Sequence, residues 1–250
     1  PDDQNALYPE QVVDPSLSIM RSGQKNQASP MILLVPGGGY NRVALAQCFD
    51  TALWLNQLGW SCAVLEYRLP EGDHQKPLED LKAAWLYLRK EETNSTGTIQ
   101  GLGIMGFSAG GQLAANWSTL HAGDKQLRPD FSILLYPVID LSDPVQSGLA
   151  ERFLGKSPSG DQLKKYSAHL QVGSDVPPML ILLSDDDSVV SPDHSVRMYH
   201  ALNDKNSSAS LHIFPTGGHA WCLGDGAISG RLCNHAEPAM AVMRDWLSRL

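Results

Sequence analysis

Apolar residues in this chain fall into short unbroken runs, separated by stripes at helical spacing. Met31–Val35 (MILLV) is apolar at every position, the pattern of a strand covered on both faces. Ser61–Tyr67, Leu102–Phe107, Phe131–Tyr136, Met179–Leu183 and Ser210–Phe214 read as further strands, and Leu17–Arg21 as an edge strand. Between them lie helical segments. Leu45–Leu58 is closed by Gly59 at the position after the last turn. Pro77–Lys90 has Pro at its first position, Glu79 and Asp80 in its first turn, and Arg89 and Lys90 in its last, matching the helix dipole. Gln112–Leu120, Pro192–Leu202 and Pro238–Leu250 complete the set, the last carrying Val242, Met243, Trp246 and Leu247 on one face.

Strands alternate with helices from residue 31 onward. That order predicts an α/β class: a mostly parallel central sheet with helices on both faces. In such sheets ligand chemistry gathers at the carboxyl ends of the strands. Residues 1–16 carry little pattern and are expected to wrap the surface, and 94–98 form a polar loop. Residues 137–178 are irregular, with short helices expected at Gln146–Leu154 and Asp161–His169. They read as a small insertion beside the site within a single domain, too small for more than a minimal lid.

The composition narrows the function classes. The chain has 250 residues, 42% hydrophobic, enough for a large core. Its net charge of −8 comes without a basic cluster, which argues against a nucleic-acid partner and mildly against strongly anionic substrates. No apolar run approaches the roughly 18 residues of a membrane span. No C-x-x-C spacing suggests structural zinc, and neither metal nor cofactor is expected. Cys222 and Cys233 bracket a Gly-rich loop, and a disulfide between them is left open. The numbering opens on Pro1, so the expectation is a mature or trimmed chain; a secreted or periplasmic location is expected, with a cytoplasmic one left open. The oligomeric state is left open.

The candidate chemistry starts at Ser108, in the pattern G-x-S-x-G between the Leu102–Phe107 strand and the following helix. A serine on so tight a turn is held in a strained conformation with its hydroxyl above the sheet edge, and flanking side chains would collide with strand and helix. Serine needs a base, and the base needs an orienting acid. His219, in Gly217-Gly218-His219 beyond the Ser210–Phe214 strand, is the best placed of eight histidines; His212 is the competitor, but lies within a strand. The acid is expected after Met179–Leu183, in Ser184-Asp185-Asp186-Asp187. Asp187 is preferred because Val189 and Val190 can fix its loop; Asp185 and Asp186 read as solvent-facing or structural, and Asp225 as a remote substitute. Pro36-Gly37-Gly38-Gly39 follows the first buried strand, and its N–H groups together with that of Ala109 could form an oxyanion hole. Tyr40, Tyr136 and Trp221 are candidates to line the site, and each reads equally as plain core.

These residues resemble the α/β-hydrolase superfamily, in which nucleophile, acid and base follow one another as Ser108, Asp187 and His219 do. More narrowly, the chain resembles bacterial carbohydrate esterases of the acetylxylan esterase-like and feruloyl/acetylxylan esterase-like kind. The carriers are P-G-G-G-Y at 36–40, Y-R-L-P at 67–70, I-M-G-F-S-A-G-G at 104–111, L-Y-P-V-I at 135–139, D-D-S-V-V at 186–190 and F-P-x-G-G-H at 214–219. The resemblance implies Ser108 as nucleophile, Asp187 as acid, His219 as base, and Gly38, Gly39 and Ala109 as oxyanion donors. It implies two-step acyl transfer without cofactor, removing short acyl groups from a small-molecule or oligosaccharide ester. Activity is then expected to fall below about pH 6, as an imidazole base protonates. The competing readings are a prolyl oligopeptidase-type peptidase and a non-catalytic binding protein on the same fold.

Overall fold

The computed structural model describes residues 4–22, 30–94 and 101–250. Among these residues seven strands form one sheet in the order β1-β3-β2-β4-β5-β6-β7. They are β1 (Ser16–Met20), β2 (Met31–Val35), β3 (Ser61–Glu66), β4 (Leu102–Phe107), β5 (Ser132–Leu135), β6 (Met179–Ser184) and β7 (Ala209–Phe214). β1 pairs antiparallel with β3 at one edge, and every other pairing is parallel. The register between β2 and β4 sets Val35 beside Gly106, so the two strands end together and their following loops emerge side by side.

The apolar runs are strands because burial on both faces leaves no place for polar side chains. All five residues of β2 and all six of β4 are buried. Helices surround the sheet: α1 (Gln4–Leu7), α2 (Leu45–Gln57), α3 (Gln75–Asn94), α4 (Ala109–Leu120), α5 (Ser147–Leu154), α6 (Gly160–Lys165), α7 (Asp193–Asp204) and α8 (Ala236–Leu247). α3 starts two residues before the expected Pro77, because the Asp73 carboxylate accepts the Gln75 N–H at 3.0 Å and caps the turn there. Arg68 and Asp80 join the end of β3 to α3 through several hydrogen bonds, the shortest 2.6 Å. The expected polar loop at 94–98 lies, beyond Asn94, outside the described residues.

Residues 137–178 fold as two short 3-10 turns, at Pro144–Gln146 and Ala168–Gln171, with α5 and α6 between them. A buried polar cluster holds this segment to α7. His194 Nδ1 accepts the N–H groups of Ile139 and Asp140 at 2.9 and 3.1 Å, while Nε2–H meets Asp143 at 3.0 Å. Asp140 in turn accepts from Arg197 at 2.6 Å. Gln146 reaches across to the Val189 carbonyl at 2.9 Å, tying the segment to the loop after β6.

Candidate active site

Ser108 stands between β4 and α4 with φ 53° and ψ −116°, a left-handed conformation that costs a non-glycine residue about 1–3 kcal/mol. Its neighbours permit the turn. A Cβ on Gly110 would collide with the carbonyl oxygens of Val35 and Pro36, and one on Gly106 with the carbonyl of Gly110 and, at 2.7 Å, with the Ala114 methyl. Glycine at both positions lets α4 start directly at Ala109 and brings its first turn against the end of β2.

His219 follows β7 on a loop shaped by its own glycines. A Cβ on Gly217 (φ +150°) would strike the Ser184 hydroxyl and approach Cys233 Sγ to 2.9 Å. The N–H of Gly218 is held by the Asp186 carboxylate at 2.7 Å. The imidazole thereby reaches back over the sheet: its Nε2 lies 2.8 Å from Ser108 Oγ, and its Nδ1 2.6 Å from Asp187 Oδ2. An ionised carboxylate only accepts, so Nδ1 carries the proton and Nε2 is left as acceptor for the serine O–H.

Asp187 is buried at the end of β6, its side chain 1% exposed. Oδ1 accepts the N–H groups of Val189 and Val190 at 2.8 and 2.9 Å. Burial by itself would raise its pKa, but the hydrogen bond and charge of His219 and these two N–H groups outweigh it and hold the carboxyl below the ordinary value. The three adjacent aspartates thus separate into different roles. Asp187 meets the histidine, exposed Asp186 tethers Gly218, and Asp185 gives its backbone N–H to Phe214. Asp225 accepts the Ala227 N–H within its own loop. Of the two valines expected to fix the acid, Val190 is buried and Val189 is 53% exposed.

A cavity of about 870 Å³ opens above the serine. Gly37, Gly38 and Gly39 form its wall next to Ser108, and Tyr136 and His219 another part. Ala109 lies at the N-terminus of α4 and is fully buried. The 144–154 segment supplies a third side, including Gly148 and Leu149, so the insertion flanks the site. Arg152 on α5 donates Nε–H to the Gly39 carbonyl at 2.7 Å and fixes the glycine run. Among the described residues no group of three or more His, Cys, Asp or Glu side chains converges to hold a metal.

Two expected lining residues sit elsewhere. Tyr40 is 2% exposed: its ring stacks on Phe153 at 5.1 Å, and its hydroxyl bonds the Ala109 carbonyl at 3.1 Å and the Gln112 side chain. Trp221 is 1% exposed and donates its indole N–H to Ser184 Oγ at 3.0 Å. Both belong to the core behind the cavity, because each finds buried acceptors that the surface would not offer. Cys222 and Cys233 are free buried thiols with separate partners. Cys222 contacts Arg231 and Ser229, burial pushing its pKa up to about 11, and Cys233 accepts from the His235 N–H. Sequence reasoning missed Asp50 of α2, whose two oxygens accept the N–H groups of Ile228 and Ser229 on the cavity rim. A polar residue on an otherwise buried helical face was the only signal for it.

The BD-FAE family model matches residues 17–202. The chain belongs to the BD-FAE family. An acetylxylan esterase from Xylanibacter ruminicola is 34% identical over 206 residues, covering 80% of this chain and 42% of that protein. The chain therefore spans less than half the length of that curated relative. Among solved structures, an acetyl ester-xyloside bifunctional hydrolase from Caldicellulosiruptor lactoaceticus is 30% identical with a TM-score of 0.83, covering 99% of this chain and 93% of that one. An alpha/beta hydrolase enzyme from a Medee basin deep-sea metagenome library shares the fold at 22% identity and a TM-score of 0.75, covering 96% and 93% of the two chains. The BD-FAE chain has the α/β-hydrolase fold, with its serine, histidine and aspartate at the ends of β4, β7 and β6.

Proposed function

We propose that this protein is a serine esterase that removes short acyl groups, acetyl above all, from plant-type saccharides such as acetylated xylo-oligosaccharides. The observation that carries the reading is the unbroken hydrogen-bonded line from Ser108 Oγ through His219 to Asp187. Family membership and the names of the relatives support the ester class.

In this reading Ser108 Oγ attacks the ester carbonyl while His219 Nε2 takes its proton. The tetrahedral oxyanion is held by N–H groups of Gly38, Gly39 and Ala109, a donor of this kind being worth roughly 3–4 kcal/mol in the transition state. His219, now charged against Asp187, gives the proton to the departing sugar oxygen. The acyl group is now bonded to Ser108 Oγ; water attacks it while His219 Nε2 takes one of the water's protons, and His219 returns that proton to Ser108 Oγ as the bond to the acyl carbon breaks and the free acid leaves. The cavity is large enough for a sugar unit, which suits a saccharide ester.

The test is release of p-nitrophenol from p-nitrophenyl acetate, followed by acetate release from acetylated xylo-oligosaccharides and turnover of feruloyl esters. Ser108→Ala is expected to abolish turnover, and Ser248→Ala, on the exposed end of α8, to keep it. Cleavage of Pro-linked amides in place of esters favours a peptidase, and turnover that survives Ser108→Ala overturns the mechanism.

A further inference from the structure

The permanently charged side chains that line the cavity above Ser108 are all of one sign. The cavity wall includes three arginines, Arg42, Arg152 and Arg231, and among the described residues that line it there is no Asp or Glu, although the whole chain has a net charge of −8. The three come from separate segments: the turn after the glycine run, helix α5, and the loop that follows His219. None forms an ion pair with a carboxylate among the described residues. Arg152 spends Nε–H on the Gly39 carbonyl, and its Nη2 lies 3.9 Å from where a Cβ on Gly39 would stand, both residues lining the cavity. Arg42 places its guanidinium 6.0 Å from the centre of the Tyr8 ring. Arg231 acts on the same phenol: burial raises the Tyr8 pKa, the charges of Arg231 and then Arg42 oppose it, and Asp50 and Cys222 add smaller raising effects from behind the loop. The carboxylate behind this loop, Asp50, is buried and occupied with the N–H groups of Ile228 and Ser229.

Three like charges around one cavity repel each other and focus a positive potential into it. A guanidinium matches a carboxylate in shape and donor geometry, and the pairing strengthens where water is excluded. We infer that the cavity takes esters bearing a carboxylate apart from the ester that is cleaved, and that Arg42, Arg152 and Arg231 hold it. The inference rests on the esterase reading and corrects the expectation, drawn from net charge, that anionic substrates are disfavoured. The carboxylate belongs either to the saccharide, as a uronic acid substituent, or to the acyl group, as a half-ester of a dicarboxylic acid.

Matched pairs of substrates test this on the full chain. One arm compares acetylated xylo-oligosaccharides with and without a uronic acid branch. The other compares p-nitrophenyl hemisuccinate with its methyl-capped diester. In one arm kcat/KM is expected to be about tenfold or more higher for the acid-bearing member, the effect of one charged hydrogen bond. That ratio is expected to shrink in 0.5 M salt, where screening shortens to a few ångströms, about 4 Å. It is also expected to collapse toward unity in Arg42→Gln and Arg231→Gln, both at exposed positions, with folding checked by circular dichroism. The ratio is the readout because a general loss of activity cancels in it. Equal rates for both members in both arms, or a ratio untouched by salt and by both variants, overturn the carboxylate subsite and leave the esterase reading standing. No turnover of any member by the wild-type chain overturns the esterase reading itself.

Discussion

The phenol ring of Tyr136 stands edge-on against the imidazole of His219, with 4.8 Å between centroids and 62° between planes. Tyr136 sits just past β5 with φ +38°, its N–H bound to the Leu182 carbonyl at 2.8 Å and its hydroxyl to the carbonyl of Trp221. One side chain therefore joins the end of a central strand to the loop that carries the histidine. Its ring limits where the imidazole can swing, and its hydroxyl fixes the backbone two residues further on. Tyr136→Phe keeps the ring and leaves the Trp221 carbonyl unpaired in the interior. We expect a loss of about 1–3 kcal/mol in urea unfolding and a fall in kcat of only a few fold. Tyr136→Ala is expected to lower kcat much further, because the imidazole loses its wall. Equal kcat in the two variants would show that the ring does not position His219.

Three carboxyls near the site titrate below their ordinary value. Asp187 is held down by His219 and two backbone N–H groups against the effect of burial. Asp140, which burial would also raise, is held down by Ser142, His169 and Arg197, and Asp143 by the Val145 N–H and His194. Because the folded chain binds these protons less readily than the unfolded chain, the carboxylates stabilise the fold fully above the unfolded value of about 3.9. That contribution disappears as the pH falls through the lower folded values. We expect the urea midpoint to drop steeply between pH 5 and the acid limit, and to drop less in Asp187→Asn. A midpoint that falls equally in both proteins would place the acid sensitivity in other groups.

Much of the frame was legible in the sequence, because it rests on local rules. MILLV and MLILL have no polar position, and strands buried on both faces admit none; every residue of both is buried. Gly106 and Gly110 flank Ser108 in a turn too tight for a side chain at either glycine, so the elbow could be found before any coordinates. The meeting of Ser108, Asp187 and His219 followed from strand order, since loops at one sheet edge are neighbours. Tyr40 and Trp221 were left open between site and core, because an aromatic on or near a glycine-run loop reads the same whether it turns inward or outward; both turn inward. What decides is a distant acceptor: Gln112 and the Ala109 carbonyl for Tyr40, Ser184 for Trp221. The arginines around the cavity were invisible for the same reason. Net charge averages over the surface, whereas the three arginines come to line one cavity only after three separate segments are folded together.

The close approach at Gly110 makes a sharp stability prediction. A methyl there meets the carbonyl oxygens of both Val35 and Pro36, which belong to a central strand and its glycine-run exit and cannot retreat independently. Gly110→Ala must therefore push α4 away from β2. Overpacking of this kind typically costs about 1–3 kcal/mol, occasionally more. Gly160→Ala, where an added Cβ meets nothing within 4 Å, is the control and should unfold with the wild type. The displaced helix also carries Ser108 off its line to His219, so Gly110→Ala is expected to lose esterase activity even under conditions where it remains folded. Wild-type stability and activity in Gly110→Ala would mean that the strand and helix do not pack as closely as described.

Asp50 predicts how the loop beyond His219 governs binding. The residue is 2% exposed on α2, and its two oxygens accept the Ile228 and Ser229 N–H groups at 2.9 and 2.8 Å. Thr51 reinforces the same junction, accepting the Leu223 N–H at 3.2 Å. Ile228, Ser229 and Arg231 all line the cavity, so this anchoring defines one rim of the site. Hydrogen bonds to a charged group are worth about 1.5–3 kcal/mol, enough to decide whether a short loop stays closed. In Asp50→Ala the 222–233 loop is expected to loosen while the sheet and the Ser108–His219 contact persist. Amide hydrogen exchange should then accelerate at Ile228 and Ser229 but not in β4 or β6. KM for saccharide esters should rise severalfold, with kcat on p-nitrophenyl acetate changing little, since a small ester does not reach the rim. A fall in kcat on p-nitrophenyl acetate with unchanged KM on saccharide esters would show instead that Asp50 supports the reacting residues and not the binding surface.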